Sequence, residues 1–201
     1  MRTDAAGLAA AIEALNSGEP IVVPTDTVYG LAVRAGDAAA LDRVFALKRR
    51  PAERSVAVLV SDIDQATEFA ALNTYERRVA DGCWPGALTL VLNRLATADT
   101  SIGRSDGTVG VRCPDNPFVR MLALAVGPLA TTSANLSGEP TPVEAAAAVE
   151  ALDGSVGTAI DGGRCEGVAS TVARIDIDGD IVVLRQGQYS QSDLEAIAHR
   201  L

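Results

Sequence analysis

The sequence predicts an α/β fold. Short β-branched runs such as Ile21-Val22-Val23 and Val56 to Val60 read as buried strands. Alternating with them are segments with apolar residues at helical spacing, beginning with Leu8, Ile12 and Leu15 ahead of the first strand. With 201 residues and 48% hydrophobic side chains, the chain can bury one large core, so a single domain over 1-201 is expected.

Taken in order, Thr3-Asp4 caps the first helix and Asn16-Ser17-Gly18 ends it. Pro24 cuts off the strand that follows, because proline cannot donate to a ladder. The strand therefore opens into a loop carrying Thr25, Asp26, Thr27 and Tyr29 before Gly30. Such a density of polar groups at a strand end reads as a binding edge, or as a Thr-rich turn that satisfies its own backbone. Asp37 starts a second helix through Leu41, Val44, Phe45 and Leu47, stopped by Pro51 after Lys48-Arg49-Arg50. These cations complement the helix dipole, or Lys48 and Arg50 project together towards a polyanion.

Beyond Val60, Ile63, Phe69, Tyr75 and Val79 keep helical periodicity. Trp84-Pro85-Gly86 turn into a strand from Leu88 to Leu92, with Trp84 as a core plug. Ala96 to Gly107 reads as a mobile surface loop. In the strand Thr108 to Arg112, alternation puts Thr108, Gly110 and Arg112 on one face. An arginine on so apolar a strand needs an acidic side chain or a bound carboxylate. A helix through Phe118, Leu122 and Val126 leads to Pro128-Leu129-Ala130, a strand running into the second hydroxyl-rich cluster, Thr131 to Gly138. Thr141-Pro142-Val143-Glu144 matches a capping box for an Ala-rich helix whose N-terminus suits an anion at that cluster. A strand over Val156 to Ile160 precedes Asp161-Gly162-Gly163. Val168 to Ile177 and Ile181 to Arg185 form a hairpin across Asp178-Gly179, and Ser192 with Glu195 caps a last helix.

Composition narrows the function. Lysine and arginine number 17 against 26 acids, a net charge of −9, which disfavours broad adhesion to nucleic acid. All but one of those cations are arginine, so the single lysine, Lys48, marks a place that needs a compact ammonium. The only histidine, His199, sits at the chain's end as a solvated residue, which leaves little room for histidine triads. Cys83, Cys113 and Cys165 have no paired spacing and read as small apolar residues. The N-terminal stretch is an acid-containing amphipathic helix and not a signal peptide, and no apolar run reaches bilayer length, so a cytoplasmic protein is expected. The Walker, dinucleotide and nucleophile-elbow motifs have no match. What remains is a set of hydroxyl-rich strand ends with Lys48, Arg50, Arg112 and Arg185, suited to phosphates and a carboxylate.

PTDTVYGLA, KRRP, WPGALTLVL, GVRCP, SANLSGEPTP, ASTV and LRQG occur in this order from Ile21 to Gly187. In that order and spacing the chain resembles the YrdC-type threonylcarbamoyl-adenylate synthase family. The resemblance implies a twisted, mixed, open α/β sheet curved around a cavity, with flanking helices. It implies a nucleotidyltransferase that joins L-threonine, bicarbonate and ATP into threonylcarbamoyl-adenylate and pyrophosphate. The product would feed the threonylcarbamoyl-adenosine modification of ANN-decoding tRNAs, through a downstream tRNA threonylcarbamoyltransferase complex.

Residue by residue, the resemblance assigns Lys48 and Arg50 to the triphosphate and the bicarbonate-derived carboxylate. Thr25, Arg112, Thr131 and Ser170 would hold threonine. Lys48, Thr108, Ser133, Asn135, Thr141 and Arg185 would contact ATP, with Mg²⁺ brought by the nucleotide and no metal bound by the protein itself. Ser55, Leu59 and Ala169 depart from the family's pattern, and Leu59 bears on the threonine side of the site. The chain is expected to lack the additional C-terminal domain of longer relatives. Two other readings are open: an RNA-binding module on the same fold, against which the acidity and few aromatics count, and a carbamoyl-transfer domain acting on another protein.

Overall fold

The structure, a computed structural model, describes residues 1–49, 56–99 and 106–199. Asp4 caps α1 (Ala5–Asn16) by accepting the Gly7 N–H at 2.9 Å, and Gly7, Ala11 and Leu15 form the buried stripe. The wholly buried β1 (Ile21–Val23) leads through the PTDTVY loop into β2 (Gly30–Arg34), and the two strands pair antiparallel. The sequence reading had no strand at β2, because a short GLAV run buried on both faces carries no alternation.

Asp37 caps α2 (Ala38–Leu47), and Arg49, at φ 50°, takes the left-handed turn that ends it. The helix thus stops before Pro51, which lies outside the described residues together with Arg50 and Ser55. After β3 (Ala57–Leu59), the segment read as one helical stretch divides into α3 (Ile63–Thr67), β4 (Ala70–Ala71) and α4 (Thr74–Cys83). Asn73 makes the break by starting a new helix in a capping box with Glu76. Trp84 packs against the core and its indole N–H donates to the Leu88 carbonyl at 2.8 Å.

The remaining elements are β5 (Leu88–Arg94), β6 (Thr108–Arg112), α5 (Pro117–Val126), β7 (Leu129–Ser133), α6 (Ala145–Glu150), β8 (Thr158–Ala159), β9 (Thr171–Ile175), β10 (Ile181–Arg185) and α7 (Gln191–Ala198). Part of the expected surface loop, residues 100–105, lies outside the described residues.

Two caps differ from expectation. The TPVE segment makes no capping box: α6 begins at Ala145 with Glu144 as its cap residue and no side-chain cap bond. Glu144 is drawn instead to Arg164, at 2.9 Å, and the six-residue helix is too short to act as an anion site. At α7 the box is Ser190 with Asp193, not Ser192 with Glu195.

Among the described residues ten strands form one mixed, open sheet in the order β10-β9-β5-β6-β3-β7-β2-β1-β8, with β4 beside β5. Residues on one face of β3, β5, β6 and β9, including Val58, Leu90, Val111 and Ala173, pack with Val79 and Ala80 of α4 and Leu194 of α7. The same side of β1, β2 and β7 packs with α2 and α6 through Val22, Leu31, Ala130, Val44 and Ala148. Full burial of each such side chain contributes roughly 1.5–3 kcal/mol. On the opposite face, α1 and α5 cover only the part around Ile21, Ala32, Leu59 and Leu129. Among the described residues nothing else covers that face, and there the candidate site residues gather.

Candidate active site

The open face holds a cavity of about 430 Å³. Alternation along the strands determines what lines it. Thr89 and Val91 of β5, Gly110 and Arg112 of β6, Ala57 and Leu59 of β3, and Thr131 and Ser133 of β7 point inward, while their neighbours enter the core. Thr25, Thr27 and Gly30 come from the first hydroxyl-rich loop and its strand, Thr141 from the second loop, and Ser170 from the start of β9.

A bulge in β10 delivers Arg185. Val183 pairs with Ala173 and Arg185 with Val172, so Leu184 is the extra residue. In an unbulged register Arg185 would share the face of Val183, against the core. With the bulge it stands beside Val172 on the cavity wall.

Arg112 is buried, and three protein acceptors hold it. Its Nε donates to the Gly86 carbonyl at 3.0 Å, Nη1 to Thr27 Oγ1 at 2.8 Å and Nη2 to Asp26 Oδ1 at 2.6 Å. Asp26 is therefore the acidic partner that the strand arginine demanded. Thr25 realises the turn reading: its hydroxyl donates to the Val28 carbonyl at 2.6 Å and accepts the N–H groups of Thr27 and Val28 at 3.1 Å. It lines the cavity nonetheless. Tyr29 turns away and donates to the Gly163 carbonyl at 2.6 Å, and burial raises the pKa of its phenol.

On the far wall, Ser170 shares a hydrogen bond with Thr89, Oγ to Oγ1 at 2.9 Å. Arg185 donates from Nε and Nη2 to the Ser170 carbonyl at 3.1 and 3.0 Å, and from Nη2 to Ser170 Oγ at 3.0 Å. Burial of its inner atoms and then the like charge of Arg112 pull its pKa below the ordinary arginine value, although its outer edge is exposed. Two guanidiniums across one small hollow favour an anion between them. Next to Arg112, burial pushes the Cys113 thiol up to about 11, which keeps it neutral.

Lys48 is nearly inaccessible and does not stand on the cavity wall. Its ammonium donates to the Ser133 carbonyl, to the Asn135 carbonyl at 2.6 Å and to Asn135 Oδ1 at 3.3 Å. Ser133 reaches the cavity from the same loop and donates to Asn135 Oδ1, whose amide nitrogen closes the loop on the Glu139 carbonyl at 2.6 Å. Thr108 stands off the wall, with its hydroxyl on Asp106 Oδ1 at 2.6 Å. Of the expected residues, Thr25, Arg112, Thr131, Ser133, Thr141, Ser170 and Arg185 come together at the cavity. Lys48 and Asn135 lie directly behind Ser133, and Arg50 falls outside the described residues. Asp26 and Thr27 belong to the loop read as a binding edge but were given no role there, and Thr89 was not singled out; its signal was a hydroxyl on the cavity face of its strand.

The Sua5/YciO/YrdC family model, described as telomere recombination, matches residues 13–187. The chain belongs to this family. A Mycobacterium tuberculosis protein is 34% identical over 186 residues, covering 92% of this chain and 85% of that one. The threonylcarbamoyl-AMP synthase of Bacillus subtilis is 34% identical over 195 residues, 94% of this chain and 56% of the relative. The structure of Pyrococcus abyssi Sua5 complexed with L-threonine superposes with a TM-score of 0.88 at 32% identity, covering 94% of this chain and 56% of that one. The chain thus spans about half the length of these two longer relatives and most of the mycobacterial one. The YrdC-type fold that the motifs implied is the fold observed.

Proposed function

We propose that this chain is a threonylcarbamoyl-AMP synthase that forms threonylcarbamoyl-adenylate and pyrophosphate from L-threonine, bicarbonate and ATP. The observation that carries the reading is the hollow that Arg112 and Arg185 line together with Thr25, Thr131, Ser133, Thr141 and Ser170. Its walls supply fixed positive charge and hydroxyls, which suits a reaction in which bound substrates react with one another. The threonine-bound relative of the same fold supports threonine as the amino acid.

In this reading Arg112 binds the threonine carboxylate, with Thr131 and Ser170 beside it. The threonine nitrogen attacks the carbon of bicarbonate, water leaves, and a carbamate forms. A carbamate oxygen then attacks the α-phosphorus of ATP as the bond to pyrophosphate breaks. Arg185, Ser133 and Thr141 line the nucleotide side, and Lys48 adds positive charge from behind the Ser133 loop. Mg²⁺ would enter as part of the nucleotide substrate and neutralise its phosphates. No helix among the described residues is long and apolar enough to cross a membrane, and the reading places the protein in the cytoplasm, where its product passes to a tRNA threonylcarbamoyltransferase complex.

The test is pyrophosphate release measured with ATP, bicarbonate and each amino acid in turn. Release that depends on threonine supports the reading. Release that is indifferent to the amino acid points to another adenylating activity and overturns it.

A further inference from the structure

The carboxylate in the first hydroxyl-rich loop has no part in the reaction derived above, yet it makes one of the shortest polar contacts of the site. Asp26 Oδ1 accepts from Arg112 Nη2 at 2.6 Å, and the two side chains retain only 16% and 6% of their accessible surface. Thr27 Oγ1 accepts from Arg112 Nη1 at 2.8 Å and is itself tied to Thr25 Oγ1 at 2.9 Å. The Gly86 carbonyl accepts from Nε at 3.0 Å. Three separate segments, residues 25–27, the turn at Gly86 and strand β6, therefore meet on one guanidinium.

A guanidinium has five N–H donors in a rigid plane. Three are engaged by the protein, which leaves two for a ligand and fixes the direction in which they point. A free arginine would offer its fork in many orientations and lose that freedom on binding; this one is oriented beforehand. Neither Asp26 nor Thr27 is among the side chains assigned to threonine or ATP. Asp26 is absent even from the cavity wall, while Thr27 lies on it with its hydroxyl already committed to Arg112.

We propose that Asp26 and Thr27 are positioning residues that aim the two remaining N–H groups of Arg112 at the amino-acid carboxylate, and so set the affinity for threonine. The inference rests on the synthase reading and deepens it. Because these residues act on Arg112 and not on Arg185, the nucleotide side is left as it is. Asp26 also halves the positive charge that Arg112 and Arg185 would otherwise present together, leaving orientation rather than bare charge to recognise the carboxylate.

The experiment is steady-state pyrophosphate release on the full chain, with threonine and ATP varied separately, for Asp26→Asn and Thr27→Val. Both are near-isosteric, and a circular dichroism melt reports whether each folds. The expected result is a threonine KM raised about tenfold or more, with the ATP KM and kcat within about threefold of wild type. Thr27→Ser, which keeps the hydroxyl, restores the threonine KM; a purely structural role for the methyl would not allow this. Folded variants with an unchanged threonine KM, or with the threonine and ATP KM values rising in parallel, overturn the inference while the wild type still supports the synthase reading. A variant that melts before assay temperature is replaced by its Thr27→Ala or Asp26→Glu counterpart, and an unchanged threonine KM in the folded replacement overturns the inference. A wild type with no threonine dependence overturns the synthase reading and this inference with it.

Discussion

Lys48 donates to both oxygens of Asn135, at 2.6 Å to the backbone carbonyl and 3.3 Å to the side chain, across 87 residues of sequence. The end of α2 and the SANLSG loop are thereby one unit, and the Ser137 N–H returns a bond to the Lys48 carbonyl at 3.2 Å. A compact ammonium with three donors can serve several carbonyls from one point, which a planar guanidinium cannot do in the same space.

Lys48→Ala therefore does two things. It removes positive charge from behind the nucleotide side, and it leaves buried carbonyls of Ser133 and Asn135 without their donor. The expected outcome is loss of pyrophosphate release together with a stability loss of about 1–3 kcal/mol, read from urea unfolding. Full activity would remove Lys48 from the site. Unchanged stability would mean that the loop finds other donors. The sequence suggested a lysine that projects towards a polyanion; the structure buries it against the carbonyls of Ser133 and Asn135, so its loss costs stability as well.

The Thr89–Ser170 pair gives a second test. Thr89 Oγ1 and Ser170 Oγ lie 2.9 Å apart in a buried setting, and Ser170 Oγ also accepts from Arg185. Thr89→Val and Ser170→Ala should each destabilise by about 0.5–1.5 kcal/mol. In a double-mutant cycle their effects should fall short of additivity by on the order of 1 kcal/mol, because the second loss removes a partner already gone. Strict additivity of the unfolding free energies would show that the two hydroxyls act independently.

Strand and helix identity was largely legible in the chain because burial imposes period, as at Leu88, Leu90 and Leu92 against Thr89 and Val91. Strand β2 was illegible for the opposite reason: Leu31, Ala32 and Val33 are all buried and show no alternation. The site residues on strands could be placed by face, as with Gly110 and Arg112. Thr108, on the same face by alternation, nevertheless lies beyond the cavity because it sits at the strand's outer end, where Asp106 captures its hydroxyl. The Arg112–Asp26 contact joins residues 86 apart, and no local pattern encodes such a meeting. The bulge at Leu184, which turns Arg185 to the cavity, leaves no mark in a run of Ile, Val and Leu.

Glu76 supplies a pH test. Its side chain is buried at the start of α4 and accepts the Asn73 N–H at 2.7 Å; burial raises its carboxyl above the ordinary 4.5, with that Asn73 bond and then Arg174 pulling the other way. A raised folded-state pKa means that the native state binds more protons than the unfolded chain between 4.5 and the raised value. Stability from this group therefore falls as pH rises through that window and stays lower above it. Glu76→Gln keeps the capping-box geometry without the charge. The variant should match wild type below pH 4.5 and exceed it at neutral pH, as measured by urea midpoints over a pH series. A wild type that gains from the charge at neutral pH would show that the Asn73 bond and Arg174 together outweigh burial.

Gly30 permits the close approach of β2 and β7 beneath the cavity. A Cβ built there would meet the Thr131 Cγ2 methyl at 2.8 Å, closer than carbon atoms approach, and Thr131 is one of the residues assigned to threonine. Gly30→Ala should therefore push Thr131 from its place, destabilise by about 1–3 kcal/mol and raise the threonine KM. The clash involves the methyl and not the hydroxyl, which identifies its remedy: Thr131→Ser deletes the offending carbon and keeps the oxygen. The double variant Gly30→Ala with Thr131→Ser should regain most of the lost stability and much of the threonine affinity. If the second change adds its own loss to the first, the strain lies in the backbone of β2, and the contact across the two strands is not what requires glycine.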